Sequence, residues 1–244
     1  MDYTLLKDEC VKWIREWFDK NGKGCNAVLG MSGGKDSTVA AALCAEALGA
    51  DRVIGVAMPA EGQSLNEADL ICEHLGIRYI CAPIADIIKG FETVRVAVDE
   101  GFSNQTEQNI PPRIRMAVLY AVSQSLNGRV VNTCNLSEDW VGYATRWGDS
   151  VGDFSPLGGM VVQEIKGVGH SLGIPAKWVD KIPDDGLPHS CSDEEKFGFS
   201  YETLDRYIRT GVCEDEAIKE KIDRMHRNNL FKLSMPEHFE PDLV

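Results

Sequence analysis

One seven-residue stretch constrains this chain more than any other. Ser32-Gly33-Gly34-Lys35-Asp36-Ser37-Thr38 follows the apolar run Ala27-Val28-Leu29-Gly30-Met31 and precedes small residues that continue to Leu48 and Gly49. The run reads as a buried strand, and the residues after the loop as a helix. Two glycines let the backbone approach an anion with no Cβ in the way, while serine hydroxyls and the unpaired amides of a helix start point toward it. Such a loop suits a pyrophosphate. Asp36 among those donors is a poor phosphate ligand, because like charges repel, but a good ligand for a Mg2+ ion bridging phosphates. A bare S-G-G more often means a serine-capped turn. The full S-G-G-x-D-S between strand and helix outweighs that reading.

The pattern around the loop repeats. Val53–Met58 and Ile77–Ala82 are short apolar runs separated by a helical stretch at Leu65–Leu75. Arg113–Leu126 reads as a helix opened by Pro111-Pro112, and Arg129–Thr133 as a further strand. Short buried strands alternating with helices predict an α/β fold, a doubly wound parallel sheet with helices on both faces. Ligands in such sheets sit at the carboxyl ends of the strands. Residues 4–19 read as an amphipathic helix, 161–172 as a helix closed by Gly173 and Pro175, 181–192 as a long mobile loop, and 200–227 as helical again. At 244 residues, a single domain is expected.

Charge narrows the partners. Against 25 Lys+Arg stand 38 Asp+Glu, a net charge of -13 that disfavours nucleic acid, although a small anion needs only one pocket. The 8 cysteines form no C-x-x-C pair, which argues against zinc and for free thiols in a reducing compartment. No apolar stretch approaches the roughly 20 residues of a membrane span, so the expectation is a cytoplasmic protein with no membrane contact.

The loop resembles the signature of the PP-loop, or N-type ATP pyrophosphatase, enzymes, which split ATP between its α and β phosphates. Further stretches are similar to one branch, the NAD synthetases. Asn109 through Met116 resembles that family's N-x-x-x-R-x-R-M, and Asn132 through Glu138 its G-T-x-N-x-S-E. Gly142 through Asp149 with Asp153 through Leu157 resembles G-Y-x-T-[KR]-[YW]-G-D…D-x-x-P-L. Pro183 through Leu187, Ser192 through Glu195, Gly198 through Tyr201, His226 and Phe231-Lys232 resemble its C-terminal loop, helix and tail.

The resemblance implies an adenine nucleotide alpha hydrolase-like fold and ATP-dependent amidation of deamido-NAD by ammonia. An adenylated carboxylate would be the intermediate, with AMP and pyrophosphate released. It implies ATP contacts at Met31, Ser32, Gly33, Gly34, Lys35, Asp36, Ser37, Thr38, Met58, Thr133 and Asp184, with Lys35 and Asp36 catalytic. Asp36 and Glu138 would share Mg2+. Arg113, Arg146, Asp153, His226 and Arg227 would hold deamido-NAD. It also implies a homodimer whose interface includes the Arg113–Leu126 helix, although Ile114, Met116, Val118, Leu119 and Val122 could equally fill a monomer core. In domain terms, residues 1–24 would be an N-terminal helix, 25–180 the ATP pyrophosphatase core, and 181–244 the mobile loop and C-terminal helices.

The chain departs from the family pattern at a few positions. Val162 stands where many members carry an ATP-contacting lysine, with Lys166 one helical turn on. Asp184 replaces a Thr or Ser, and Arg227 follows His226 where lysine is usual. Asn132 stands where Gly is frequent and Cys134 where Gly or Asp is, and Cys134 has no evident His partner to make it a nucleophile. About 26 residues precede the first strand, too few for an amidase domain, so ammonia would be used directly or delivered by another protein. Two other readings compete. A PP-loop tRNA-modifying enzyme is opposed by the acidic charge, and a non-catalytic dinucleotide-binding relative is opposed by the intact Asp36 and Glu138.

Overall fold

The structure is a computed structural model and describes residues 1–63, 67–181 and 192–241. In chain order, α1 (Tyr3–Asn21) leads to β1 (Asn26–Gly30), the phosphate loop and α2 (Lys35–Leu48). Then come β2 (Val53–Ala57), α3 (Ala68–Leu75), β3 (Arg78–Cys81), the short α4 (Ala85–Gly90) and α5 (Glu92–Ala97), α6 (Asn104–Ser125) and β4 (Gly128–Val130). The rest is α7 (Leu136–Val141), α8 (Val162–Ser171), α9 (Ala176–Val179), α10 (Asp193–Phe197), α11 (Tyr201–Thr210) and α12 (Glu216–Asn229).

The strands form a parallel sheet in the order β3-β2-β1-β4. Alternation along β1 divides its side chains between two cores. Ala27, Leu29 and Met31 face α1, α2 and α8, whereas Val28 joins Ile54, Val56, Ile110 and Ile114 on the other face, beneath α6. This is the doubly wound arrangement the sequence predicts. Residues 37–44 of α2 are buried all round, which explains their small side chains: the helix is enclosed by the sheet, α1 and α8.

Two element boundaries differ from the sequence expectation. Helix α6 begins at Asn104, capped by the Ser103 hydroxyl, and runs through Pro111 and Pro112. Those prolines cannot donate to the Glu107 and Gln108 carbonyls, but both of these residues are exposed, so water can serve them. Burial of Ile110 and Ile114 keeps the helix on the sheet. The expected helix over 200–227 is two helices broken at Gly211.

Strand β4 stops at Val130. Val131 continues as a bridge to Phe154, and the Asp153 carboxylate accepts the Val130 amide at 2.7 Å. A third, smaller core joins Val141 and Val162 to Phe197, Phe199, Tyr201, Leu204 and Ile222. It seats the C-terminal helices over the carboxyl ends of the strands. Among the described residues, no helix is long and apolar enough to cross a membrane.

Candidate active site

The phosphate loop leaves β1 at Gly30 and reaches α2 within a few residues. Gly33 turns at φ +78°, a conformation that suits glycine. The Ser32 hydroxyl accepts the Gly34 amide at 3.2 Å and lies 3.2 Å from the Ser37 hydroxyl. Ser37 and Thr38 both donate to the Gly34 carbonyl, at 3.1 and 2.7 Å. These short-range bonds shape the loop, and no side chain caps the start of α2.

Asp36 and Glu138 come from the ends of different strands, and one side chain joins them. Asn135 is completely buried; its amide nitrogen donates to Asp36 Oδ1 at 3.3 Å, and its carbonyl oxygen caps α7 by accepting the Glu138 amide at 2.9 Å. Lys35 is buried and pairs with Asp36 Oδ2 at 2.9 Å. Burial and the charge of Asp36 push the Glu138 carboxyl up to about 8. Thr133 sits between β4 and this group, next to buried Asn132 and Cys134.

Met58 follows β2 with its side chain buried, and its carbonyl accepts Arg115 Nε at 3.1 Å. Cys134 is buried as well, and desolvation pushes its thiol well up, so the residue behaves as packing. Asp184 lies outside the described residues.

Three of the residues assigned to the dinucleotide gather along segment 140–147. Arg113 Nε donates to the Arg146 carbonyl at 3.4 Å. The Arg146 guanidinium lies over the Trp147 and Phe231 rings, at 4.9 and 5.3 Å, and donates to the Ser234 carbonyl at 3.0 Å. Trp147 itself holds φ +61°, an uncommon conformation for a bulky side chain. His226 stacks on Trp140 at 4.0 Å and donates from Nδ1 to its carbonyl at 2.9 Å.

Arg146 Nε and Trp140 Nε1 are buried donors with no partner among the described residues. Arg227 is exposed on α12. Asp153 stands apart at the edge of β4, where Val130 and the Tyr120 hydroxyl occupy its two oxygens. A carboxylate keeps further lone pairs beyond those two bonds.

The geometry explains one departure from the family pattern and adds residues the sequence reading passed over. Val162 is buried in the third core, and its amide is received by the Ser137 hydroxyl at 3.2 Å, so this position is packing. Ser137 in turn donates to Asp205 at 2.6 Å, and Asp205 also accepts the Gln163 amide at 2.9 Å. Asn135 and Ser137 lie inside a motif quoted for its likeness, yet their roles depend on contacts 99 and 68 residues away. Asn135 carried one local signal, an Asn three residues before an acid at a helix start.

Comparison with known proteins shows what the whole chain is similar to. The profile of the NAD synthase family matches residues 6–239. The NH(3)-dependent NAD(+) synthetase of Methanocaldococcus jannaschii is 37% identical over 222 residues, spanning 88% of this chain and 85% of that one. Among solved structures, the NMN synthetase from Francisella tularensis superposes with a TM-score of 0.88 at 25% identity, covering 100% of both chains. An NH3-dependent NAD synthetase from Campylobacter jejuni superposes at 0.78 with 28% identity, covering 98% of this chain and 100% of the other. Matched by the profile along nearly its whole length and by a relative at more than a third identity, the chain belongs to the NAD synthase family.

Proposed function

We propose that the chain is a ligase that amidates deamido-NAD to NAD with ammonia at the expense of ATP, by way of an acyl adenylate. The observation that carries this reading is that one buried side chain, Asn135, holds the Asp36 carboxylate and caps the helix start that bears Glu138, beside the loop of Ser32 to Thr38. Ser32 to Thr38, with Met31, Met58, Thr133 and Asp184, would hold ATP.

The residues fit a Mg2+ ion. Asp36 and Glu138 are hard oxygen donors beside one buried lysine, which pairs with Asp36. Among the described residues no group of 3 or more His, Cys, Asp or Glu is placed to hold a metal, so phosphate oxygens and water would complete the shell. When bound, the ion supplies neutralisation of phosphate charge.

The nicotinate carboxylate attacks the α-phosphorus and pyrophosphate leaves. Ammonia then attacks the acyl carbon and AMP leaves. Both steps build negative charge next to the amides at the start of α2 and the Lys35 ammonium, which are already in place. Arg113, Arg146, His226 and Arg227 would hold the dinucleotide, with the unpaired donors Arg146 Nε and Trp140 Nε1 available to it. Asp153 would contribute through the lone pairs left after it binds Val130 and Tyr120.

A homodimer belongs to the same proposal, but not through the whole apolar face of α6. Ile114, Val118, Leu119 and Val122 already pack in the chain's own core, whereas Val94, Val96 and Val98 are exposed. A cytoplasmic setting also remains part of the reading.

The test is purified protein with ATP, Mg2+, deamido-NAD and ammonium, following NAD and AMP together, with Asp36→Ala as control. One-for-one formation of the two products, lost in the variant, is the expected result. A second reading, the mononucleotide acid as acceptor, is favoured by the match to the NMN synthetase and is tested by offering that acid in place of deamido-NAD.

A further inference from the structure

The second half of the proposed reaction needs a substrate with the opposite chemistry to ATP. At neutral pH nearly all ammonia is ammonium, a small cation with N–H donors and no acceptor. The phosphate loop offers donors and a lysine, and its one carboxylate, Asp36, is already engaged by Lys35 and Asn135. Recognition calls for a carboxylate, hydroxyl oxygens and aromatic faces.

Those groups meet at α10 and α11. Asp193 is held in the first turn of α10, where Ser192 and Glu195 cap each other across the helix start. Its side chain is 17% exposed. The Tyr201 hydroxyl donates to Asp193 Oδ2 at 3.3 Å. Phe197 sets its ring against Tyr143 at 4.9 Å and against Tyr201 at 6.0 Å, closing the side of the group.

An alkylammonium already tests this chemistry within the chain. Lys196 Nζ lies 2.9 Å from the Tyr143 hydroxyl, 5.7 Å from the Tyr143 ring centre and 3.8 Å from Asp193 Oδ1. The last distance is beyond a hydrogen bond, so Asp193 keeps capacity for a second, smaller cation.

The group also has a direction. Tyr143 is 37% exposed at its outer end, and Tyr201 is 5% exposed at its inner end. The Tyr201 ring lies 5.8 Å from Lys35 Nζ, and the charge of Asp193 is felt by both Lys35 and Glu138. Burial, with Asp193 adding to it, pushes both tyrosine hydroxyls up, so they stay protonated and neutral.

We infer that Asp193, with the hydroxyls of Tyr201 and Tyr143, binds the ammonium ion and presents it to the phosphate-loop side of the site. This rests on the amidation reading above. It concerns binding alone and adds no covalent step. Tyr143 receives the ion from solvent, Asp193 supplies the counter-charge, and Tyr201 separates it from the Lys35 charge.

The experiment pairs two measurements on wild type, Asp193→Asn and Tyr201→Phe. One is the KM for ammonium at saturating ATP, Mg2+ and deamido-NAD, with potassium chloride holding ionic strength constant. The other is the single burst of pyrophosphate released with deamido-NAD and no ammonium. Asp193→Asn is expected to raise the ammonium KM about tenfold while the burst persists, the loss of one charge-assisted contact. Tyr201→Phe, which keeps the ring and hence the packing, is expected to raise it about twofold to threefold.

An unchanged ammonium KM in both variants overturns the assignment. So does loss of the burst in step with loss of ammonium use, because Asp193 would then serve the adenylation half. A wild-type protein that gives no burst sinks the amidation reading instead, and the two failures are distinct.

Discussion

The two ends of the proposed site, one assigned to phosphate and the other to the dinucleotide, are built in different ways. At the phosphate end, the loop is closed by bonds among Ser32, Gly34, Ser37 and Thr38, and both oxygens of Asp36 are engaged, by Asn135 and by Lys35. At the dinucleotide end, Arg146 and Trp140 keep buried donors with no partner among the described residues, and Arg227 is exposed. The first end is preorganised and its charges are fixed before any ligand arrives, which is what stabilising a transition state requires. The second holds hydrogen-bonding capacity in reserve for a ligand, at the cost of leaving polar groups buried and unmet.

The largest effect that would test this contrast is at Asp36. Asp36→Ala is expected to lower the rate of NAD formation at least about a thousandfold, since it removes a proposed ligand of the Mg2+ ion that neutralises the reacting phosphates. A loss smaller than tenfold would show that the phosphate end is less committed than its geometry implies.

Asn135 separates stability from chemistry. Asn135→Ala is expected to cost about 2 kcal/mol in denaturant unfolding, because it strips a buried group from both Asp36 and the cap of α7. Asn135→Asp can still cap the helix, yet it sets a carboxylate against Asp36. It is expected to fall less in stability and at least tenfold in turnover. Equal losses in both variants would make Asn135 a structural cap alone.

At the other end, Arg146→Met keeps much of the stem that packs near Trp147 and Phe231 but loses the donors. The expected result is a rise of about tenfold in the KM for deamido-NAD, with that for ATP within about twofold. A matching rise in both constants would mean that the two ends are not independent. The smallest effect is expected at exposed Arg227: Arg227→Ala should change the deamido-NAD KM by no more than about threefold, as for a solvated charge at a rim.

The same contrast explains what could be read from the sequence. The strand, loop and helix around Ser32 to Thr38 were legible because their parts are local, with the glycines and Asp36 in one seven-residue run. The presence of the strands followed from their apolar runs. The start of α6 was not legible, because two prolines argue for a helix boundary and only burial of Ile110 against the sheet overrides them. The break at Gly211 was hidden by polar residues that suit either a helix or a turn.

The dinucleotide end depended on likeness to a family, and its physical content appears only in space. Arg113, Arg146 and Ser234 lie far apart in the chain and meet through carbonyl oxygens, which sequence does not reveal. Asp193 and Tyr201 likewise belong to a C-terminal stretch whose contact with Lys35 comes from the way α10 and α11 dock.

Docking at that point is close. Gly142 lies so near Asn229 that a Cβ at 142 would fall 2.0 Å from its side chain, and Lys232 reaches back to the Gly142 carbonyl at 2.8 Å. Asp205 meanwhile holds Ser137 and the Gln163 amide at the start of α8. A ribosome therefore releases the phosphate loop long before it releases Asp205, which holds the Ser137 hydroxyl and the start of α8. During synthesis the nascent chain can fold the sheet and α2 early, but Ser137 and the first turn of α8 must wait for α11. Residues beyond 192 thus set the moment at which a newly made molecule becomes competent.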